Sequence, residues 1–207
     1  MMSSGTRINS TDSSIKIAID TWYENNLKTD YGKYLSTTAI YCNDRTLASG
    51  QTYSTTNRFY YASYERLVTN KTPTYNCTNN KDAFSGNNSE AKLTYPIGLM
   101  TADEITYAGG KSGTRLPSPY AWYYLNSAGG SITGSTWWSL SPNEWFGSSS
   151  YVWRVNGSGI PGRLDSGGVA GSVAVRPSVS LLFCNLISRG DGSANNPYIV
   201  KTDGSSC

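Results

Sequence analysis

The stretch from residue 137 to residue 183 constrains the fold most, because rigid aromatic segments alternate there with permissive ones. Trp137-Trp138 and the run at residues 151–155 read as strands, and an apolar strand follows Val175-Arg176-Pro177. Gly, Ser and Asn fill the segments between them. Strands hold their position while such segments accept many backbone conformations, so this alternation is typical of a scaffold that presents loops. An ordinary β-rich half with flexible turns has the same composition, and the pattern alone leaves both interpretations open.

Three helices are predicted ahead of these strands. Residues 13–27 carry an apolar face at helical spacing that Asp12 or Ser13 can cap, and that face comprises Ile15, Ala18, Ile19, Trp22 and Tyr23. Residues 60–68 form the second helix, with Tyr60, Tyr64, Leu67 and Val68 on one side. A capping box from Thr101 to Glu104 begins the third, which Gly109-Gly110 ends early.

The C-terminal half is predicted to be β-rich. Pro177 suits the beginning or the edge of a strand rather than a central position. The predicted strands are residues 121–125, 137–140, 150–155, 172–175, 179–183 and 198–200. Helices followed by short mixed strands and long loops indicate an α+β fold. We expect an N-terminal helical and loop-rich part, residues 1–94, packed on a core of residues 95–207, with Trp22, Trp137, Trp138, Trp153 and Val175 in its interior.

Composition excludes several functions and favours recognition. The 207-residue chain has no histidine, which removes a Ser-His-Asp triad, a Cys-His nucleophile and most zinc sites. The net charge is only +3 and no Lys/Arg cluster stands out, so no nucleic-acid partner is predicted. No run of about 18 apolar residues is present, so no membrane insertion is predicted. The 16 tyrosines among many Ser, Gly and Asn residues are the composition of adaptable binding surfaces.

Four cysteines are too widely spaced for a Cys-x-x-Cys motif. Their even number and polar surroundings favour an oxidising compartment. We predict a Cys42–Cys77 disulfide, since both residues lie among polar, turn-like residues of the N-terminal half. Cys184 with Cys207 is the dependent second pairing, although Cys207 can equally be a terminal thiol. The alternative is four free thiols in a cytosolic protein.

The aromatic segments also carry a resemblance to a known family. Trp137-Trp138, Ser141-Pro142, Trp153-Arg154-Val155 and Val175-Arg176-Pro177 resemble the C-terminal core of C-type-lectin-fold variable proteins of diversity-generating retroelements, and of related bacterial and phage surface proteins. Residues 95–104 are similar to the helix that precedes that core. The likeness covers roughly residues 95–200 and implies a C-type-lectin-like fold.

The resemblance also implies a ligand surface in the segments 143–150 and 156–170. In those retroelement proteins template mutagenesis turns AAY codons into NNY, which cannot encode Lys, Gln, Glu, Met or Trp. Residues 145–200 contain no Lys, Gln, Glu or Met, although a charge-poor β segment would look the same. Glu144, Trp145 and Trp153 would then be framework. The residues predicted to contact the ligand are Asn143, Phe146, Ser148, Ser149, Arg154, Asn156, Ser158, Ile160, Arg163, Leu164 and Asp165.

Within that surface, Phe146, Ile160 and Leu164 are expected to be exposed apolar anchors, and Arg163 a charged one. Arg154 alternates with Trp153 and faces the opposite side of its strand, toward either the ligand or solvent. Arg176 is expected to be structural, stacking on a tryptophan. Calcium-dependent sugar binding through Asp191-Gly192 and Asn195-Asn196 is disfavoured, because no Glu-Pro-Asn or Gln-Pro-Asp triplet is present. No cofactor is predicted.

The resemblance therefore implies a non-catalytic, receptor-recognition protein that displays a diversifiable surface. Its partner would be a protein or glycan on another cell or particle. The expected location is extracellular, at a cell surface with an N-terminal anchor removed, or on a phage particle. The alternative is a structural subunit of a pilus-like surface fibre, suggested by the amphipathic N-terminal helix. Formylglycine-generating enzymes share the general fold, but they use a cysteine pair near the C-terminus, and the strand region here contains the single Cys184, so their chemistry is not predicted.

Overall fold

The computed structural model describes residues 11–114, 136–156, 163–193 and 195–202. Its α-helices are α1 (Ser14–Asn26), α2 (Ala62–Tyr64) and α3 (Ala102–Tyr107), and a π-helical segment, Glu65–Asn70, continues α2. Short 3-10 turns lie at Gly32–Tyr34 and Asn80–Asp82. The strands are β1 (Tyr41–Cys42), β2 (Phe59–Tyr60), β3 (Ala83–Phe84), β4 (Gly98–Leu99), β5 (Lys111–Ser112), β6 (Trp137–Phe146), β7 (Ser149–Val155), β8 (Arg163–Gly168), β9 (Pro177–Ser178), β10 (Ile187–Arg189) and β11 (Ile199–Val200). The predicted α+β class is confirmed.

A five-stranded sheet of order β2-β6-β7-β8-β5 organises the molecule. Its strands pair antiparallel except β5, which runs parallel to β8. The described residues also form three two-stranded ladders, β1-β3, β4-β9 and β10-β11. Strand β2 comes from the N-terminal part, so that part contributes directly to the central sheet. The boundary between residues 94 and 95 stays a prediction.

Both faces of the sheet are covered. On one face Trp137, Trp153, Val155 and Leu164 pack with Leu67 of the π-helical segment and with α3. The other face carries a cluster in which Trp138 and Val152 of the sheet pack with Leu99 of β4. Successive strand residues point to opposite faces, so neighbours such as Trp137 and Trp138 bury in different clusters. The expected burial of Trp137, Trp138 and Trp153 is confirmed, while Val175 is half-buried against the second cluster.

Helix α1 forms as predicted but buries a narrower face. The Ser13 hydroxyl caps it by accepting a hydrogen bond from the Lys16 N–H. The buried row is the i, i+4 series through Ile19 and Tyr23, flanked by half-buried Ile15 and Leu27. Trp22 is 45% exposed. The prediction that Trp22 lies in the core was wrong, because Trp22 lies about 60° around the helix from Ile19 and about 100° from Tyr23, the two residues that dock.

The second helix differs from the prediction of residues 60–68: Tyr60 lies in β2, α2 covers only Ala62–Tyr64, and the π-helical segment Glu65–Asn70 follows it. The third predicted helix is present. The rings of Tyr60 and Tyr64 stack with centroids 4.1 Å apart, and Leu67 with partly buried Val68 reaches the first core cluster. In α3, Thr101 and Glu104 form the predicted reciprocal capping box. The helix stops at Tyr107, and Gly109 follows with a φ of 105°, which only glycine adopts readily.

The strands differ from the prediction in their extent. Residues 143–146 and 149–150 extend β6 and β7 and are not a loop, and residues 163–168 form β8 within the segment predicted to be loop. Residues 172–175 and 179–183 make only isolated bridges, at Ala174 and Leu181. The predicted strand at 121–125 lies outside the described residues. Pro177 begins β9, as its missing N–H requires.

The Cys42–Cys77 disulfide is present, as predicted. The two residues are 35 positions apart, and closing a loop of that length stabilises a fold by about 2–4 kcal/mol. The predicted pairing of Cys184 involves Cys207, which lies outside the described residues. Across the described ranges, none of the helices is long and apolar enough to cross a membrane.

Candidate ligand-binding surface

The predicted surface residues lie on a tight hairpin and on the strands that flank it. Phe146 pairs with Ser149, and Gly147-Ser148 forms the turn between β6 and β7. Gly147 has a φ of 64°, the left-handed value that two-residue hairpins require. Phe146, Ser148 and Ser149 are all exposed at this tip. The hairpin therefore presents side chains from a backbone held by two strands.

One group of side chains surrounds an arginine at this end of the sheet. The Arg58 guanidinium carbon lies 4.8 Å from the ring centre of Tyr60 and 5.0 Å from that of Phe146. Its Nε and Nη2 each lie 2.5 Å from Glu144 Oε2. The hydrogen bond to Glu144 raises the pKa of Arg58, and burial raises the pKa of Tyr60. We call Arg58, Tyr60, Phe146, Ser149 and Tyr151 the hairpin-end surface.

Glu144 is buried and supports this surface from beneath, with Tyr60 and Tyr151 as its register partners on the two neighbouring strands. A buried carboxylate needs a cationic partner, and Arg58 supplies it. Glu144 thereby fixes the arginine that contacts both aromatic rings. The framework role expected for Glu144 in a diversified surface stays a prediction.

A second group of predicted residues lies on the opposite face of the sheet. Arg154 pairs with Asp165 across β7 and β8. Arg163 immediately precedes Leu164 and begins β8. Asp165 Oδ2 lies 3.4 Å from Arg154 Nη2 and 3.2 Å from Arg163 Nη2. Asn156 closes this end by donating its N–H to the Arg163 carbonyl. We call Arg154, Asn156, Arg163 and Asp165 the arginine cluster.

The Arg154 side chain lies flat across β8. A Cβ atom built on Gly167 would stand 2.9 Å from Arg154 Cδ and 3.0 Å from Trp138 Cζ3. Gly167 therefore leaves the space that the arginine stem occupies beside the Trp138 ring. A larger residue would push the guanidinium away from Asp165, so the sequence positions Arg154 by omitting a side chain two residues along β8.

The predicted contact residues that the structure describes fall into three sets: the hairpin tip, the arginine cluster and two buried residues. Phe146, Ser148 and Ser149 belong to the hairpin tip, while Arg154, Asn156, Arg163 and Asp165 form the arginine cluster. Ser158 and Ile160 lie outside the described residues. The expected exposure of Leu164 is wrong: it is 0% exposed and packs with Val155 in the first core cluster. Asn143 is also buried, and its carbonyl accepts the Tyr61 N–H.

Arg176 has the structural role that was predicted. Its guanidinium carbon lies 5.3 Å from the Trp137 ring centre. Trp137 is fully buried, so the arginine closes one edge of the first core cluster. Arg154 faces away from Trp153, as its alternation predicted.

The turn considered for calcium is held together by its own hydrogen bonds. Asp191 Oδ1 accepts the Ser193 N–H at 2.8 Å, and the interaction with Ser193 lowers the pKa of Asp191. Within the described residues, no group of three or more His, Cys, Asp or Glu side chains is placed to hold a metal ion.

Four surface residues were not predicted from the sequence: Arg58, Tyr60, Tyr151 and Lys111. The run Arg58-Phe59-Tyr60 alternates exposed and buried side chains, which is a strand signal. Gly147-Ser148 between two aromatic runs is likewise a hairpin signal. Lys111 had no such signal, because its two-residue strand is defined only by pairing with β8.

Comparison of the chain with protein-family models, curated proteins and solved structures finds no match.

Proposed function

We propose that this chain is a non-catalytic ligand-binding protein that recognises a partner through the exposed and partly exposed side chains of the hairpin tip and the arginine cluster. The proposal includes a C-type-lectin-like arrangement of the α+β fold, a diversifiable surface, and an extracellular, cell-surface or phage-particle location. The partner is a protein or glycan on another cell or particle. The sequence resemblance supports the lectin-like part of this proposal.

The observation that carries the proposal is the alternation of buried and partly exposed side chains along β7 and β8. Val155 and Leu164 fill the core, while their neighbours Arg154, Asn156, Arg163 and Asp165 share the other face and remain partly exposed. The hairpin tip adds Phe146, Ser148 and Ser149. Surface changes away from cores and caps usually alter stability by no more than about 0.5 kcal/mol, so these positions can change while the fold persists.

Many copies of this gene from one population test the proposal without knowledge of the ligand. We expect variation to cluster at the hairpin tip and in the arginine cluster. Trp137, Trp153, Leu164, Arg176 and Pro177 should stay fixed. A reverse transcriptase gene beside a near-repeat of this segment would add direct support. Variation spread evenly over the exposed surface would contradict diversification.

A structural subunit of a pilus-like fibre is the second candidate. It is favoured by helix α1, on which Ile17 and Trp22 are 58% and 45% exposed. Large exposed apolar side chains are a feature of surfaces that pack against another protein. A neighbouring assembly-ATPase gene, together with filaments that Trp22→Ser abolishes, would favour the fibre over the binder.

A further inference from the structure

We propose that the arginine cluster binds the anionic group, carboxylate or sulfate, of an acidic sugar. This inference rests on the proposed function and names the ligand chemistry of one part of that surface. Arg154 and Arg163 would clasp the anion. Asp165 and Asn156 would contact the hydroxyl groups of the same sugar.

The two guanidinium groups are poorly paired in the free chain. Charge-assisted N–H···O bonds are usually about 2.7–2.9 Å long, whereas these two contacts to Asp165 are 3.4 and 3.2 Å. Both arginines share one carboxylate oxygen, Oδ2. Among the described residues, the buried Nε atoms of Arg154 and Arg163 have no acceptor. A guanidinium carries five N–H donors in a planar fork, so most donors at this site lack a protein acceptor in the described part of the chain.

The local charge balance also favours an anion. Lys111 is the register partner of Arg163 in the parallel β5-β8 pair, and side-by-side residues of a pair share a face. Lys111 is exposed, and the Arg154 and Arg163 side chains are each 29% exposed. Three cations thus accompany one carboxylate along β5, β8 and β7. An incoming carboxylate or sulfate would meet preorganised donors, since the Arg154 stem lies beside the Trp138 ring in the space that Gly167 leaves open.

Asp165 favours a sugar over an acidic peptide. One of its oxygens, Oδ1, accepts the Ser166 N–H, which fixes the carboxylate between the arginines. A fixed carboxylate repels the several acidic side chains of an acidic peptide, whereas the hydroxyl groups of a sugar donate hydrogen bonds to it. An acidic sugar carries one anion among several hydroxyls and therefore matches a site with two guanidinium groups around one carboxylate.

The test uses side-chain NMR of the 15N-labelled chain. Arginine Nε–Hε signals, assigned with the Arg154→Lys and Arg163→Lys variants, are followed during titration with methyl β-glucuronide and with galactose-6-sulfate. Methyl β-glucoside and galactose are the neutral counterparts. We expect both acidic sugars to bind at least tenfold more tightly than their neutral counterparts and to shift both Nε–Hε signals. Salt should weaken the binding, because the partly exposed charges are screened.

Variants separate this site from charge in general. Arg154→Gln and Arg163→Gln should each weaken binding of the acidic sugars at least tenfold, whereas Arg189→Gln, which removes an exposed arginine from β10, should change it less than twofold. Lys111→Gln should weaken binding of the acidic sugars less than either arginine variant does, and it leaves the sheet interior unchanged. Circular dichroism and thermal melting of each variant establish that it is folded, and the Lys111 variant keeps the test valid if an arginine variant does not fold.

Several results would overturn the inference. Equal affinity for acidic and neutral sugars, no binding of either acidic sugar, or losses no larger than in Arg189→Gln would each do so. Shifts of the same size with inorganic sulfate would reduce the site to a general anion site. Preferential binding of an acetylated tetra-aspartate peptide would assign it to protein ligands. None of these outcomes bears on the gene-variation test, which judges the proposed function independently.

Discussion

At the scale of single residues, buried polar atoms connect the sheet to the helical layer. Trp153 Nε1 donates to Ser63 Oγ at 3.0 Å, and the Ser63 hydroxyl in turn donates to the Pro142 carbonyl. All three residues are buried, so water cannot replace a missing partner there. Ser63 thus satisfies a tryptophan N–H on β7 and a carbonyl on β6 from the first turn of α2. This small side chain specifies how α2 docks on the sheet.

Ser63→Ala should destabilise the fold by about 1–3 kcal/mol, because it leaves the Trp153 N–H and the Pro142 carbonyl buried without this partner. Urea unfolding at equilibrium, with the disulfide intact, measures the change. Ser148→Ala, at the exposed hairpin tip, is the matched control and should stay within about 0.5 kcal/mol. A Ser63→Ala variant as stable as that control would show that the hydroxyl is dispensable.

At the scale of elements, caps and aromatic runs were predictable, whereas extents and partners were not. The capping box at Thr101 and the cap at Ser13 are local, since each depends on groups three residues apart. Strand β8 has a polar, Gly-containing sequence, Arg163–Gly168, and exists because β7 and β5 pair with it. The face of α1 also depends on tertiary docking, which selected Ile19 and Tyr23 over Trp22.

Long-range strand pairing also determines which side chains belong to the candidate surface. Alternation along a strand predicted correctly that Arg154 faces away from Trp153. The burial of Leu164 could not be predicted, because its segment was expected to be a loop without alternation. Its pairing with Val155, which carries it into the core, became visible only with the sheet register.

Helix α1 provides a pH-dependent test at this scale. Burial raises the pKa of Asp20 despite its hydrogen bond with Lys16. A carboxyl with a raised folded-state pKa stabilises the fold below its unfolded pKa, and that contribution is lost as the pH rises through the folded value. Asp20→Asn should therefore match the wild type at low pH and exceed its stability at pH 7, as measured by urea unfolding at both pH values.

Glu24→Gln on the same helix is a control of opposite sign. The hydrogen bond that Lys28 donates to Glu24 lowers the pKa of Glu24. The contribution of this carboxylate to stability is therefore present above its unfolded pKa and is lost as the pH falls through its folded pKa. This variant should be less stable than the wild type at pH 7 and equal to it at low pH. If Asp20→Asn also lost stability at pH 7, the ion pair with Lys16 would outweigh burial.

At the scale of the whole molecule, one sheet supplies both core residues and the exposed side chains of the proposed ligand surface. Its two faces are buried against different partners, α2 and α3 on one side and β4 with neighbouring apolar residues on the other. In the described strands of this sheet, the hairpin tip, the hairpin-end surface, the arginine cluster and Lys111 leave side chains in solvent. A platform with separate core and surface residues should tolerate simultaneous surface changes, because sites without shared partners act nearly additively.

The combined variant Phe146→Ser, Ser148→Asn and Ser149→Asn tests this separation directly. It removes the contact between Phe146 and Arg58 and otherwise changes only exposed atoms, so the total loss should stay below about 2 kcal/mol. The single core change Trp153→Ala should cost about 3–5 kcal/mol, more than the three surface changes together. Urea unfolding of both variants and the wild type, with the Cys42–Cys77 disulfide intact, gives the comparison. A triple variant as destabilised as Trp153→Ala would mean that the tip helps to hold the sheet together, and a surface of that kind could not be diversified without loss of the fold.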